Sequence, residues 1–233
     1  MRPAVAMILA AGRGERMRPL SDETPKPLLR AGGRPLIVRQ IEALARAGFG
    51  DIAINVSHLA DAIVGALGDG SAHGVSIRYS REAEPLETAG GIATAVDLLA
   101  PGPVVIVSGD ICTQFDYATL PARVAAMRES DAAPRVHLVM VPNPPYHPNG
   151  DFALAGDRIV EREDPRLTFG NIGVYDTALF GALPRGVKLR MLPLYREWIA
   201  RGIVSGERYD GFWANVGTPA DLAQLDTTLG APT

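Results

Sequence analysis

Residues 9–20 of the chain read LAAGRGERMRPL, and residues 24–28 read TPKPL. The apolar run 4–9 precedes the first stretch and predicts a strand that ends where the glycines begin. Gly12 and Gly14 allow peptide N–H groups to approach a ligand without an intervening Cβ. The arginines of the loop and the lysine of the second stretch add positive charge at the same place. This combination predicts a site for a polyphosphate.

Two common phosphate loops do not fit the spacing. A P-loop requires four residues between its first glycine and Gly-Lys-Ser/Thr, and no such string follows Gly12. The dinucleotide-binding pattern requires a third glycine, and Met17 stands at that position. The alternative is a plain glycine turn whose arginines face solvent. The Pro-Lys-Pro element around Lys26 argues against it, because a plain turn does not need one.

Together, LAAGRGERMRPL and PKPL resemble the opening of the sugar-1-phosphate nucleotidyltransferases. This resemblance implies a nucleotide-diphospho-sugar transferase fold and a loop that wraps a nucleoside triphosphate. It implies that Arg16 holds the pyrophosphate leaving group and that Lys26 binds phosphate at the reacting centre. The further loop residues assigned to nucleotide binding are Leu9, Ala11, Gly12, Gly14 and Glu15.

The composition fits one catalytic domain. The chain has 233 residues, of which 47% are hydrophobic, enough for a large core. We expect a single nucleotidyltransferase domain over residues 1–233, with a nucleotide-binding part at about 1–115 and a sugar-binding part at about 116–233. The formal net charge of -3 argues against a nucleic-acid partner.

The cysteine content and the hydropathy of the sequence indicate the compartment in which the protein is expected. Cys112 is the sole cysteine, so no intramolecular disulfide can form, and we expect its thiol to be buried. The apolar start of the chain is short and runs directly into the charged loop, unlike a secretion signal. No run of the sequence is long enough to span a bilayer. These features predict a soluble cytoplasmic protein without a membrane partner, and they leave the oligomeric state open.

Strand-like and helix-like segments alternate through the first half, which indicates βαβ units. The predicted class is α/β, a Rossmann-like mixed, mostly parallel sheet flanked by helices. The predicted strands of this half are 4–9, 51–56, 75–79 and 104–107, and its helices are 35–47, 59–67 and 91–99. For the second half we expect strands at 135–141, 151–154, 158–161 and 167–175, and a final helix to about residue 229.

In such sheets, ligands bind beyond the carboxyl ends of the strands. Ser108 and Asp110 directly follow a predicted buried strand, so Asp110 can bind Mg²⁺ while facing the phosphate loop. A turn or helix cap is the alternative for Asp110, but the family places its metal-binding aspartate in this Gly-Asp context. Ser108 is assigned to the nucleotide site, where relatives carry asparagine.

Residues 84–91, EPLETAGG, form a second glycine-rich segment that opens a helix. Taken alone, an ordinary loop before a helix is the favoured interpretation. The resemblance instead implies that Thr88, Gly90 and Gly91 lie against the nucleobase. Asn55 lies at a predicted strand end. It is a candidate for contact with the nucleoside, and capping of the strand end is an equally good interpretation.

The acceptor side is predicted from weaker signals. The proline-rich stretch 142–150 must be a loop, and we expect it to belong to the acceptor site. Asp151, Glu161 and Asn171 are candidates for sugar contacts, each with a solvated loop or strand position as the alternative. The four histidines show no metal-ligand spacing and none is assigned to catalysis, although His147 lies in the acceptor loop.

Asn215, in the segment FWANVGTP, completes the family's metal pair with Asp110. Many relatives have aspartate there, but an asparagine still offers a carbonyl oxygen. One negative charge fewer lowers the expected metal affinity.

Residues 84–88 and 204–207 resemble the small uridylyltransferases of cell-wall recycling. This implies transfer of a uridylyl group from UTP to N-acetylmuramate 1-phosphate, with release of pyrophosphate. A mannose-1-phosphate guanylyltransferase shares the opening loop and is an alternative. A catalytically silent nucleotide-sugar-sensing subunit is a second alternative, which the intact Arg16, Lys26 and Asp110 disfavour.

Overall fold

The computed structural model describes residues 4–129, 134–162 and 165–230. Its strands are β1 (Ala4–Leu9), β2 (Arg30–Ala31), β3 (Arg34–Pro35), β4 (Phe49–Val56), β5 (Ser76–Arg81), β6 (Pro103–Ser108), β7 (Ile111–Thr113), β8 (Val136–Val141), β9 (Phe152–Ala155), β10 (Arg158–Val160), β11 (Arg166–Asp176), β12 (Val204–Arg208) and β13 (Trp213–Asn215). Its helices are α1 (Leu20–Glu23), α2 (Leu36–Arg46), α3 (Ala60–Leu67), α4 (Glu87–Ala95), α5 (Leu120–Glu129), α6 (Ala178–Gly181), α7 (Met191–Ala200) and α8 (Pro219–Gly230). Short 3₁₀ turns occur at 15–17, 26–28, 71–73, 96–98 and 117–119.

Nine strands form one mixed sheet in the order β5-β4-β1-β6-β11-β8-β12-β10-β9. The strands of the first half, β5, β4, β1 and β6, pair in parallel, as the βαβ alternation predicts. Antiparallel pairing enters with β11, which lies between β6 and β8. The predicted mixed α/β sheet flanked by helices is confirmed, and its antiparallel pairings involve strands of the second half.

Both faces of the sheet are covered, because successive residues of the central strands point to opposite sides. On β1, Ile8 packs into one apolar cluster with α2 and α3, and Met7 packs into the other with α4 and α7. Both side chains are fully buried. A strand buried on both faces explains why the run before the glycine loop is continuously apolar.

Most predicted elements form with bounds shifted by a few residues. The largest shift concerns α4, which begins at Glu87 rather than at the predicted residue 91. Glycines usually mark loops, so the sequence pattern moved the predicted start past Gly90 and Gly91. In the structure both glycines lie inside the helix and are buried by tight packing.

The register of the parallel strands positions the site. Leu9, the last residue of β1, lies opposite Asn55 of β4 on one side and Ser108 of β6 on the other. Three strands therefore end side by side at one edge of the sheet.

Cys112 is buried, and burial raises the pKa of its thiol, in keeping with a packing role. Within the described ranges, no helix is both long and apolar enough to cross a bilayer.

Candidate active site

A cavity of 730 Å³ opens at the carboxyl ends of β1, β4 and β6, and is called the larger cavity here. It brings together the glycine loop, the segment before α4 and the residue pair after β6. Its lining includes these residues predicted to bind nucleotide: Leu9, Ala11, Gly12, Gly14, Glu15, Asn55, Thr88, Ser108 and Asp110. It also includes Arg13 of the glycine loop and Glu84 of the segment before α4, together with Glu82 and Lys188, for which the sequence predicts no role.

The glycine loop is fixed by contacts on one side and faces open space on the other. Gly14 adopts φ of 66°, a conformation that glycine reaches without strain, and its carbonyl accepts a hydrogen bond from Ser21 Oγ at 2.8 Å. Met17 anchors the loop in a small apolar cluster. Around Gly12 nothing lies within 4 Å of an added Cβ, so its backbone faces open space. The loop can therefore approach a phosphate chain.

A buried hydrogen-bond chain ties the glycine loop to the segment before α4. Asn55 Oδ1 accepts from the Ala10 amide at 2.9 Å, and Asn55 Nδ2 donates to Glu82 Oε1 at 2.7 Å. The other oxygen of Glu82 accepts from the Leu86 amide at 2.9 Å. Burial raises the pKa of Glu82, and the two donors act against that rise. Asn55 thus lines the cavity, but its side chain supports both walls.

Gly90 and Gly91 lie behind the cavity wall and not in its lining. The Gly90 amide donates to the Leu189 carbonyl at 3.2 Å, and an added Cβ there would lie 2.2 Å from the Val187 carbonyl. An added Cβ on Gly91 would meet Asn55 and Glu82 at under 3 Å. Both glycines are therefore required for close packing. The expected contact of Gly90 with a base edge needs correction, because its amide is already bonded to Leu189.

Lys26 donates to Asp110, which lines the larger cavity; the Lys26 Nζ and Asp110 Oδ2 atoms are 2.5 Å apart. Their side chains are only 13% and 27% exposed, so the pair is largely screened from water. A short antiparallel ladder between β7 and β13 places Asn215 next to Asp110. The Val216 amide donates to the Asp110 carbonyl at 3.0 Å, which fixes this neighbourhood through the main chain.

Asn215 has the property expected of an incomplete metal site. Its Oδ1 is buried and has no hydrogen-bond partner in the part of the chain that the structure describes. A buried acceptor without a donor is costly unless another group satisfies it. Asp110 and Asn215 supply two oxygens, and Mg²⁺ is often bound by one or two protein oxygens plus phosphates and water. No group of three His, Cys, Asp or Glu side chains suited to a metal occurs in the described residues. The pair therefore fits a divalent cation shared with a phosphate substrate.

A second cavity, of 460 Å³, lies on the other side of this pair. It includes Asn215, Asp151 and Asn171, as well as Arg16. The Arg16 guanidinium lies near Gly217, 3.3 Å from where a Cβ would be. The family resemblance implies that Arg16 holds the leaving group, but in this structure Arg13 lines the larger cavity and Arg16 lines the second one.

Asn171 reaches the second cavity because β11 bulges there. The pairing of β11 with β8 shifts register between residues 169 and 173, and Asn171 has φ of 58°. Bulges often redirect side chains at functional sites, and asparagine tolerates the left-handed region. A smaller cavity of 170 Å³ shares Ser108 with the larger cavity and Asn171 with the second one. The two sites therefore connect.

Glu161 does not join this group. It is exposed, follows the outer strand β10, and its carboxylate accepts from Arg196 Nε at 2.9 Å. It lines neither the larger nor the second cavity. Glu161 therefore occupies the solvated strand-end position that is the stated alternative to a sugar contact, and β10 lies toward the far edge of the sheet.

Several cavity residues gave no usable signal in the sequence. Tyr146 lies between the second cavity and a neighbouring one, where burial, followed by the Asp221 carboxylate, raises the pKa of its phenol. Glu82 directly follows β5, and its partner Asn55 lies 27 residues away. Lys188 follows an irregular segment and donates to Glu84, which lies 104 residues away. A proline-rich loop at Tyr146 was the one recognisable clue.

The chain belongs to the nucleotidyl transferase family, whose model matches residues 5–229. It is 44% identical to the N-acetylmuramate alpha-1-phosphate uridylyltransferase of Neisseria meningitidis serogroup B, covering 97% of this chain and 98% of that protein. The protein of the same description from Caulobacter vibrioides is 31% identical, with 93% of both chains covered.

Among solved structures, the inositol-1-phosphate CTP transferase from T. maritima superposes with a TM-score of 0.76 at 17% identity. The match covers 100% of this chain and 98% of that one. At this identity the likeness concerns the fold, which agrees with the family assignment.

Proposed function

We propose that the chain transfers a uridylyl group from UTP to N-acetylmuramate 1-phosphate, forming UDP-N-acetylmuramate and pyrophosphate. The observation that carries this proposal is the Asp110–Asn215 pair between two connected cavities, with one orphaned carbonyl oxygen. A nucleotide in the larger cavity and a sugar phosphate in the second would bring their phosphates together at this pair. The nature of the sugar and base is supported by the 44% identical relative.

The reaction is an in-line displacement. A phosphate oxygen of the sugar phosphate attacks the α-phosphorus of UTP, the bond from that phosphorus to the bridging oxygen breaks, and pyrophosphate leaves. The attacking oxygen is already anionic near neutral pH, so the protein needs to supply neither a nucleophile nor a base. Positioning and charge neutralisation carry the catalysis.

Each charged group has a place in this scheme. Asp110 and Asn215 would hold Mg²⁺, which when bound neutralises phosphate charge at the reacting centre. Lys26 lies beside Asp110 and would follow the charge of the reacting phosphates. Arg13 would bind the outgoing pyrophosphate, while Arg16 faces the sugar phosphate from the second cavity. Both arginines form no ion pair with any described residue, so they remain available for phosphate.

The two halves of the chain have different proposed roles. We propose that residues up to about 115 bind the nucleotide and that the remainder contributes the sugar site, through Asp151 and Asn171, within one nucleotidyltransferase domain. A reaction that consumes UTP and makes a cell-wall precursor would take place in the cytoplasm, as part of peptidoglycan recycling.

The test is pyrophosphate release with Mg²⁺, crossing UTP and GTP against N-acetylmuramate, N-acetylglucosamine and mannose 1-phosphates. We expect release mainly with UTP and the muramate ester. Preference for GTP with mannose 1-phosphate would indicate a guanylyltransferase. Binding of nucleotide sugar without turnover would indicate a sensor.

Two variants test the assigned groups. Lys26→Ala and Asp110→Ala should each lose at least about 100-fold in kcat/KM, since each removes a charge at the reacting phosphates. Arg18→Ala is the matched control, because Arg18 belongs to the same loop but pairs with Asp22 at 3.1 Å on the surface. Near wild-type turnover of both active-site variants would refute the mechanism.

A further inference from the structure

The second cavity is lined by Arg16 and His147, two side chains that can donate hydrogen bonds to an anionic group. Arg16 lies near Gly217, the residue that follows the Asn215–Val216 turn at the reacting centre. His147 lies beside Asp151. A sugar phosphate with a second anionic group would match two such positions. N-acetylmuramate 1-phosphate has one, because its lactyl ether ends in a carboxylate that N-acetylglucosamine 1-phosphate lacks.

We propose that His147 binds the lactyl carboxylate of the acceptor and thereby selects N-acetylmuramate 1-phosphate over N-acetylglucosamine 1-phosphate. This inference rests on the proposed function. It adds a specificity-determining residue that neither the motifs nor the comparisons assign.

The loop that carries His147 is built to hold it. The His147 amide donates to the Pro144 carbonyl at 2.9 Å, and the Gly150 amide donates to the His147 carbonyl at 3.2 Å. The side chain of Asn143 donates to the Pro148 and Arg166 carbonyls and so ties the loop to β11. A ligand group ordered before binding costs less entropy when the ligand arrives.

Asp151 orients the imidazole. Its Oδ2 accepts from the Phe169 amide at 2.8 Å, which fixes the carboxylate, and its Oδ1 lies 3.1 Å from His147 Nε2. Because an ionised carboxylate only accepts, Nε2 must be the donor. His147 Nδ1 has no hydrogen-bond partner among the residues that the structure describes. The proposed contact requires a proton on Nδ1 as well, so that this second nitrogen can donate to the substrate carboxylate.

His147 also screens a repulsion. The carboxylate of Asp151 lines the same cavity, and without the imidazole that it holds it would face the substrate carboxylate directly. Loss of the imidazole therefore removes an attraction and exposes a like charge. An acceptor without the lactyl group experiences neither effect.

The test compares wild type and His147→Gln with UTP and both acceptors. A hydrogen bond to a charged group supports an expected loss of about 10- to 100-fold in kcat/KM for N-acetylmuramate 1-phosphate. For N-acetylglucosamine 1-phosphate, the change should stay within about threefold. His73→Gln is the control, since His73 lies in a 3₁₀ turn that lines neither cavity. His147→Asn provides a second variant, and His147 is 40% exposed, so both should fold.

Binding of the two products gives an independent readout. Calorimetry with UDP-N-acetylmuramate should show the same selective loss in His147→Gln, with UDP-N-acetylglucosamine little changed. If wild type uses the muramate ester but the variant loses both acceptors equally, or neither, the role of His147 is wrong and the proposed function stands. If wild type fails with the muramate ester, the proposed function fails, and the carboxylate contact fails with it.

Discussion

The hydrogen-bond chain through Asn55 and Glu82 makes a strong prediction for Asn55→Asp. The variant keeps the shape and the acceptor for the Ala10 amide, but it replaces the donor to Glu82 by a second carboxylate oxygen at 2.7 Å. Asn55 is 3% exposed and Glu82 7%, so water does not screen the pair. Breaking such a buried charge-assisted contact costs about 3–5 kcal/mol, or roughly 6–20 °C in Tm for a chain of this size.

The loss should depend on pH. A proton shared between the two carboxylates restores a donor, so the folded variant binds a proton that the unfolded chain releases above the ordinary carboxyl range. Stability is then retained at low pH and lost as the pH rises through the pKa of the folded pair. Urea unfolding at about pH 5 and about pH 8 measures this difference. Asn149→Asp, on the surface, should change stability by less than about 0.5 kcal/mol at either pH.

The double variant Asn55→Asp with Glu82→Gln provides the decisive control. The new amide at position 82 can donate to the carboxylate at position 55 and still accept from the Leu86 amide, so all three hydrogen bonds are restored and only the one between positions 55 and 82 reverses its direction. Most of the lost stability should return, and the pH dependence should disappear. A single variant within 1 kcal/mol of wild type at about pH 8, or a double variant no better than the single one, would refute the reasoning.

Three further predictions follow from the two cavities. Arg13→Ala should raise KM for UTP, and Arg16→Ala should raise KM for the sugar phosphate, each by about 10-fold or more. Steady-state kinetics in which each substrate is varied in turn measures both constants. If both variants changed KM for UTP alone, the assignment of Arg16 to the sugar phosphate would be wrong. Asn215→Asp should lower the Mg²⁺ concentration for half-maximal rate by about 10-fold, since it adds a charge to the site; an unchanged metal titration would remove Asn215 as a ligand. Gly90→Ala should lower the free energy of unfolding, measured in urea, by at least about 2 kcal/mol, because its Cβ would lie 2.2 Å from the Val187 carbonyl oxygen. Wild-type stability of this variant would mean that residues 187–189 move aside freely.

The nucleotide side was predictable because its signals are local. The glycine loop follows the strand that orients it, and Asp110 follows the strand that brings it to the same edge, so spacing along the chain reflects position in space. Asn55 illustrates the limit of this reasoning. Its position at a strand end was clear, but its bond to Glu82 depends on a partner 27 residues away.

The acceptor side was less predictable because its geometry depends on irregular backbone. Asn171 enters the cavity through a bulge that alternation of polar and apolar residues does not predict. Glu161 was a candidate for a sugar contact, yet Arg196 on α7 binds it at the surface. In both cases the deciding contact joins residues that lie far apart in the sequence.

This difference in construction has a consequence for specificity. Parallel strands in register fix the side proposed to bind the nucleotide, whereas a bulge and a loop tied down by Asn143 form the side proposed to bind the acceptor. The two sides meet through the β7–β13 ladder, where one main-chain hydrogen bond from Val216 to Asp110 sets the position of Asn215. Substitutions in the acceptor loop can therefore alter which sugar is bound while leaving Lys26 and Asp110 in place.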